Sequence, residues 1–157
     1  MVISSSLELR TEILFDMEAE VVAQHDVGAA PFGKRKIYIV GDGMFAGPEL
    51  RGKVLPGGAD WLLKASNGIS ELDVRATLVT DDGQLIYTYY RGIYYTSQEV
   101  KKRMDSGEDV QASEYYFRTT PRFETGSARY EWLNRVIAVG VGQKTATGIS
   151  YRVYRVL

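Results

Sequence analysis

Strict alternation of apolar and polar residues is the feature that most narrows what this chain can fold into. Between Leu7 and Val22, the odd positions carry Leu7, Leu9, Thr11, Ile13, Phe15, Met17, Ala19 and Val21. Glu8, Arg10, Glu12, Asp16, Glu18 and Glu20 fill most of the even ones. Successive strand side chains point to opposite faces, so this reads as one long strand, or two in line, apolar on one side. A helical stripe needs spacings of three and four, which the segment does not supply.

Alternation returns between turn signals. A Gly/Pro-punctuated loop is expected over Gln24 to Gly33, then a short strand Ile37–Val40 and a glycine-rich turn at Gly41–Pro48. Strands follow at Glu49–Leu55 and Asp60–Lys64, broken at Pro56-Gly57-Gly58. Ser66-Asn67-Gly68 and Asp81-Asp82-Gly83 read as hairpin turns, because Asn and Gly tolerate positive φ. They flank Ile69–Thr80, and the aromatic-rich Gln84–Tyr95 comes next. One helix is expected at Ser97–Asp105, capped by Thr96 with Glu99 and stopped at Gly107. The strand Glu114–Thr120 precedes an irregular Pro121–Tyr130. Glu131–Asn134 leads back into the sheet, and strands Arg135–Val141 and Ile149–Val156 close the chain around a turn at Lys144–Gly148. About nine or ten strands with one short helix, and no linker or repeat, predict a single all-β domain over residues 1–157. An antiparallel β-barrel is favoured over a sandwich, because closure removes exposed edges.

Composition excludes several functions. With no Cys and only His25, disulfide frameworks, thiol nucleophiles and Cys- or multi-His metal sites are out of reach. Neither a metal nor a cofactor site is expected. The 19 Lys+Arg and 20 Asp+Glu nearly cancel, which removes the long-range attraction to nucleic acid or an anionic membrane. No apolar run approaches the roughly 18 residues that span a bilayer, and Met1–Ser6 lacks the basic and apolar parts of a signal peptide. A soluble, cytoplasmic protein is expected. Gly41-x-Gly43-x-x-x-Gly47 is no dinucleotide fingerprint, since Pro48 and another strand follow where a helix N-terminus is needed. His25-Asp26 has no nucleophile elbow to serve.

What remains is a set of paired charges and aromatics. Asp73 and Arg75 share one strand face, opposite Leu72, Val74 and Ala76; Tyr116 and Arg118 share another. Facing outward, such pairs are solvated and contribute about 0–1 kcal/mol each. Facing into a barrel, they would need partners, and burial would raise a carboxylate pKa and create a general acid or base. Tyr87 and Tyr89 belong to the densest aromatic stretch, which reads either as packing or as a cavity wall with hydroxyl contacts.

The chain also resembles the microbial domain-of-unknown-function family 3237. The resemblance rests on Gly47-Pro48-Glu49-Leu50-Arg51-Gly52, Leu55-Pro56-Gly57-Gly58-Ala59-Asp60-Trp61, Asp73-Val74-Arg75, Asp81-Asp82-Gly83, the run Tyr115 to Gly126, and Trp132-Leu133-Asn134. It covers nearly the whole chain in motif order. It implies a compact antiparallel β-barrel, commonly oligomeric, in a family without a settled general activity. The family-like polar residues are Asp60, Trp61, Asp73, Arg75, Tyr116, Arg118, Glu124, Trp132 and Asn134, which favours an inward-facing Asp73 and Arg75.

The resulting expectation is a barrel enclosing a small organic molecule, aromatic or polyketide-like. Asp73, Arg75, Tyr116, Arg118 and Glu124 are the catalytic candidates; Asp60, Trp61, Tyr87, Tyr89, Trp132 and Asn134 are the ligand-binding candidates. If catalytic, the chemistry is cofactor-independent isomerisation, cyclisation, elimination or hydration, with Asp73 or Glu124 moving the proton and Arg75 or Arg118 stabilising an oxyanion. The alternative is a non-catalytic ligand-binding or homo-oligomeric assembly module.

Overall fold

The computed structural model describes residues 7–157, so the expectation about Met1–Ser6 lies outside the described residues. Nine strands are present: β1 (Thr11–Ala30), β2 (Gly33–Ala46), β3 (Arg51–Lys64), β4 (Ser70–Thr80), β5 (Leu85–Tyr95), β6 (Tyr116–Thr119), β7 (Arg122–Glu124), β8 (Ala138–Lys144) and β9 (Gly148–Val156). One helix, α1 (Gln98–Asp105), and short 3-10 turns at Ala112–Glu114 and Glu131–Arg135 complete the described residues. All pairings are antiparallel, in the order β4-β3-β2-β1-β9-β8-β6-β5-β7, and a further β4–β5 pairing closes eight strands into a barrel. The expected barrel is the observed fold.

β6 and β7 are two parts of one ribbon. Gly92 faces Thr119 and Tyr87 faces Glu124 in the same register along β5. Pro121, which has no N–H to donate, lies at the interruption. Only Arg118 and Thr119 pair onward with β8. Below them the wall is completed by the 3-10 turn at Glu131–Arg135, whose Leu133 is buried.

The apolar alternation decides the inside. On β4, Ser70, Leu72, Val74, Ala76, Leu78 and Thr80 are buried, and the residues between them face out. β1 follows its expected face only at Phe15, Met17 and Ala19. A bulge between Ile13 and Phe15 lets both Leu14 and Phe15 enter the core and leaves Ile13 44% exposed. One extra residue reverses the facing of everything before it.

The expected breaks at Gln24–Gly33 and Pro56–Gly58 are corrected, and the one at Gly41–Pro48 shrinks to its end, since β2 runs to Ala46 before the chain turns from Gly47 to Leu50. β1 and β2 run on to meet at a tight turn, Pro31-Phe32, and β3 passes through Pro56–Gly58 with a register shift between Leu55 and Ala59. Bulges absorb the glycines and proline without ending the strands. Strand β8 starts at Ala138 rather than at Arg135, because Glu131–Arg135 coils into the 3-10 turn. The helix is capped one residue later than expected: the Ser97 hydroxyl accepts the Val100 N–H at 3.2 Å, and Gly107 ends the segment at φ 85°. Gly68 and Gly83 also take positive φ, in the two expected hairpin turns.

One end of the barrel, the upper end, carries the β1–β2, β3–β4 and β8–β9 turns and α1. The lower end carries the β4–β5 turn, the Glu131–Arg135 turn and both sheet termini. No helix among the described residues is long and apolar enough to cross a membrane.

Candidate active site at the lumen

The lower lumen is hydrocarbon. Phe15 packs against Phe45 and Phe123, with ring centroids 5.4 and 5.9 Å apart, among Leu50, Val54, Leu78, Ile86 and Leu133. The upper lumen is phenolic. Tyr90 meets Tyr151 edge-on at 5.7 Å, Tyr151 meets Phe117 at 5.3 Å, and Phe117 meets Tyr94 at 5.4 Å. The close approach is possible because Gly142 lies under the Phe117 ring, where a Cβ would fall 2.7 Å from ring carbons.

Asp60 brings a carboxyl into this upper region. It sits opposite Val74 on β4 and Tyr38 on β2, and residues opposite each other in a ladder point to the same face. Val74 is a lumen residue, so Asp60 and Tyr38 are too. Oδ1 of Asp60 accepts the Asp73 backbone N–H at 3.1 Å. Burial pushes the Asp60 carboxyl up to about 6, and the nearby Asp73 carboxylate adds to the rise against that donated N–H and the Arg35 charge. Burial, with the Asp60 charge as a lesser cause, raises the phenols of Tyr38, Tyr90 and Tyr151. All three phenols therefore stay protonated donors at neutral pH.

Tyr151 is the anomaly. Its hydroxyl is buried and completes no hydrogen bond of good geometry among the described residues, although the Tyr90 hydroxyl lies close enough to raise its pKa. An unpaired buried hydroxyl costs about 1–3 kcal/mol, so it calls for a reason. Beside it lies a void of about 10 Å³, bordered by Thr88, Tyr90, Thr119 and Pro121.

Of the candidates drawn from the sequence, Asp60 alone among the strand residues faces the lumen. The expectation that Asp73 and Arg75 face inward is corrected: they alternate with Leu72, Val74 and Ala76, and the apolar set takes the inside. Their side chains are 33% and 52% exposed and pair with each other at 3.5 Å on the outer wall. Arg91 is 3.9 Å from the same carboxylate. Trp61 is also outside, with the Arg75 guanidinium 5.3 Å above its ring. Tyr87 and Tyr89 stack at 5.4 Å on the outer face of β5, with the exposed Glu124 opposite Tyr87. Tyr116 and Arg118 are likewise outside, the guanidinium 5.1 Å from the phenol ring. None of these lines the lumen, for the same reason of alternation.

Trp132 packs on the lower core under Arg155, 5.2 Å from its ring. Asn134 accepts from Thr125 N at 2.8 Å and donates to Thr125 O at 3.0 Å, which fastens the lower loop. Sequence reasoning missed Tyr38 and Tyr151 as lumen groups. Tyr151 had a usable signal, since it is in phase with Val153, and Tyr90 likewise follows Ile86 and Thr88.

Residues 9–156 match the family described as protein of unknown function, DUF3237. The chain belongs to this family. A UPF0311 protein of Rhodopseudomonas palustris is 34% identical over 149 residues, covering 95% of this chain and 97% of the relative. The crystal structure of a beta-barrel like protein from Acinetobacter baumannii superposes with a TM-score of 0.84 at 36% identity, covering 96% of this chain and 97% of that one. A more distant fold neighbour, an enzyme from Penicillium herquei, has a TM-score of 0.74 at 17% identity, covering 99% of this chain and all of that one (100%). At that identity the likeness is one of fold.

Proposed function

We propose that this DUF3237 barrel binds a small organic molecule at its upper mouth and carries out cofactor-independent acid–base chemistry there. The observations that support the reading are a lumenal carboxyl, Asp60, and the buried phenol of Tyr151, whose pKa the Asp60 charge helps to raise. A carboxyl near 6 is present in both protonation states close to neutrality, so it can take a proton from a ligand and return it elsewhere. Protonated phenols beside it can donate to a carbonyl oxygen on which negative charge develops. Isomerisation, cyclisation and elimination all need only these two services. The filled lower lumen limits the inserted part of the ligand, so its bulk rests at the rim. Asp73, outside the wall, acts through its backbone N–H as a positioning residue for Asp60. The Penicillium herquei enzyme is a case of catalysis on a barrel of this shape.

Native mass spectrometry of freshly purified protein tests the reading. The wild type should carry a small-molecule adduct that Asp60→Asn and Tyr151→Phe both lose while remaining folded. No adduct on the wild type, or equal adducts on all three, counts against it.

A second reading, assembly with another copy of the chain, is favoured by one surface feature. Leu85, Tyr87 and Tyr89 form an exposed apolar and aromatic stripe at the lower end of β5. Light scattering should then show an oligomer that Tyr87→Ser with Tyr89→Ser dissociates.

A further inference from the structure

A second concavity lies on the outer wall, separate from the lumen. It has a volume of about 530 Å³ and runs from the upper parts of β4 and β5 across β6 to the start of β8, lined by Glu71, Arg91, Ile93, Tyr116, Arg118 and Val139. That volume is within the roughly 300–1,000 Å³ usual for small-ligand sites. Gly92 forms part of its floor, packed so closely on β6 that a Cβ would strike the Arg118 carbonyl and Thr119 at 2.7 Å.

Its charges are not internally balanced. Arg118 has no carboxylate within 4.0 Å among the described residues. Its Nη1 donates to the Phe117 carbonyl at 3.0 Å, which holds the guanidinium half-buried over the Tyr116 ring. Arg91 reaches only Asp73, at 3.9 Å, a carboxylate already shared with Arg75. Glu71 contributes the groove's one acid and makes no ion pair among the described residues. A guanidinium presents a planar fork of N–H donors that matches a carboxylate, and the Tyr116 face with Ile93 and Val139 suits a flat apolar body.

We infer that this outer groove is a binding site for a small aromatic carboxylate, its acid group held between Arg91 and Arg118 and its ring against Tyr116 and Ile93. The site is independent of the Asp60 chemistry and would be occupied whether or not the lumen is.

Titration calorimetry with 4-hydroxybenzoate, paired with amide NMR, tests it on the intact protein. Saturable binding is expected, with shifts at Gly92 and Ile93. Arg118→Gln and Arg91→Gln should each weaken it at least tenfold, and the neutral analogue 4-hydroxybenzamide should bind at least tenfold more weakly than the acid. Asp60→Asn should leave it unchanged, which separates this site from the lumen. These glutamine variants sit on the outer wall, and an unaltered thermal midpoint confirms that they fold. Absence of binding overturns the inference. So do equal affinities for acid and amide, insensitivity to Arg118→Gln, or loss of binding in Asp60→Asn.

Discussion

The two halves of the lumen are built from the same ladder and differ in what fills them. Below, Phe15, Phe45 and Phe123 interlock with aliphatic side chains that need no polar partner, and the buried hydroxyls of Thr80 and Tyr130 both reach Asp82. Above, tyrosines gather around a single phenylalanine, Phe117, a carboxyl enters from β3, and the Tyr151 hydroxyl completes no hydrogen bond among the described residues. An interior optimised only for stability would repeat the lower pattern upward. The contrast teaches that the lower half holds the barrel shut, while the upper half holds one carboxyl, Asp60, in a low-dielectric setting at some cost in stability.

Breaking the lower half should produce the largest effect. Phe15→Ala removes a ring 1% exposed and in contact with two others. A loss of about 3–5 kcal/mol in denaturant unfolding is expected.

The upper half should respond to pH in the opposite sense from an ordinary salt-bridged carboxylate. The Asp60 pKa is raised on folding from 3.8 to about 6, so between those values the folded state binds more protons than the unfolded one. Stability should then fall as pH rises through this window and level off above it, by roughly 1–3 kcal/mol in all. Asp60→Asn should remove that slope, which urea melts at a series of pH values would reveal.

Tyr151→Phe sharpens the comparison further. Deleting a hydroxyl that has no partner should cost nothing and could gain up to about 1 kcal/mol. A clear destabilisation would mean that the hydroxyl is satisfied after all. The smallest effect is expected outside both halves. Arg152 and Asp16 pair at 2.7 Å across β9 and β1 with both side chains about half exposed. A double-mutant cycle there should give a coupling below about 1 kcal/mol, shrinking with added salt.

Much of the barrel was legible because a half-buried strand must alternate. The runs Leu72–Leu78 and Phe15–Ala19 marked their inner faces directly, and Asn67-Gly68 and Asp82-Gly83 marked two turns. The upper hairpin was not legible. Beyond Val22, β1 carries mostly exposed residues on both faces, so backbone pairing holds it without any hydrophobic pattern to read. At β3, Pro56-Gly57-Gly58 resembles a stop, but a bulge carries the strand through it.

The candidate site was only partly legible. Motif marks Asp60 as a binding residue, whereas motif and charge put Asp73 and Arg75 on the side of the wall from which their own neighbours exclude them. Both assignments came from motif and charge, which do not carry facing. By itself the sequence determined strand periodicity, the turns and an all-β class, because these follow from interactions between residues close along the chain. Tertiary structure alone decided closure, and with it where a face turns over at a bulge and which distant tyrosines, Tyr38, Tyr90 and Tyr151, feel the charge of one carboxyl. Those depend on strand order and on single-residue bulges, whose cost is small locally and whose consequence is the reversal of whole faces.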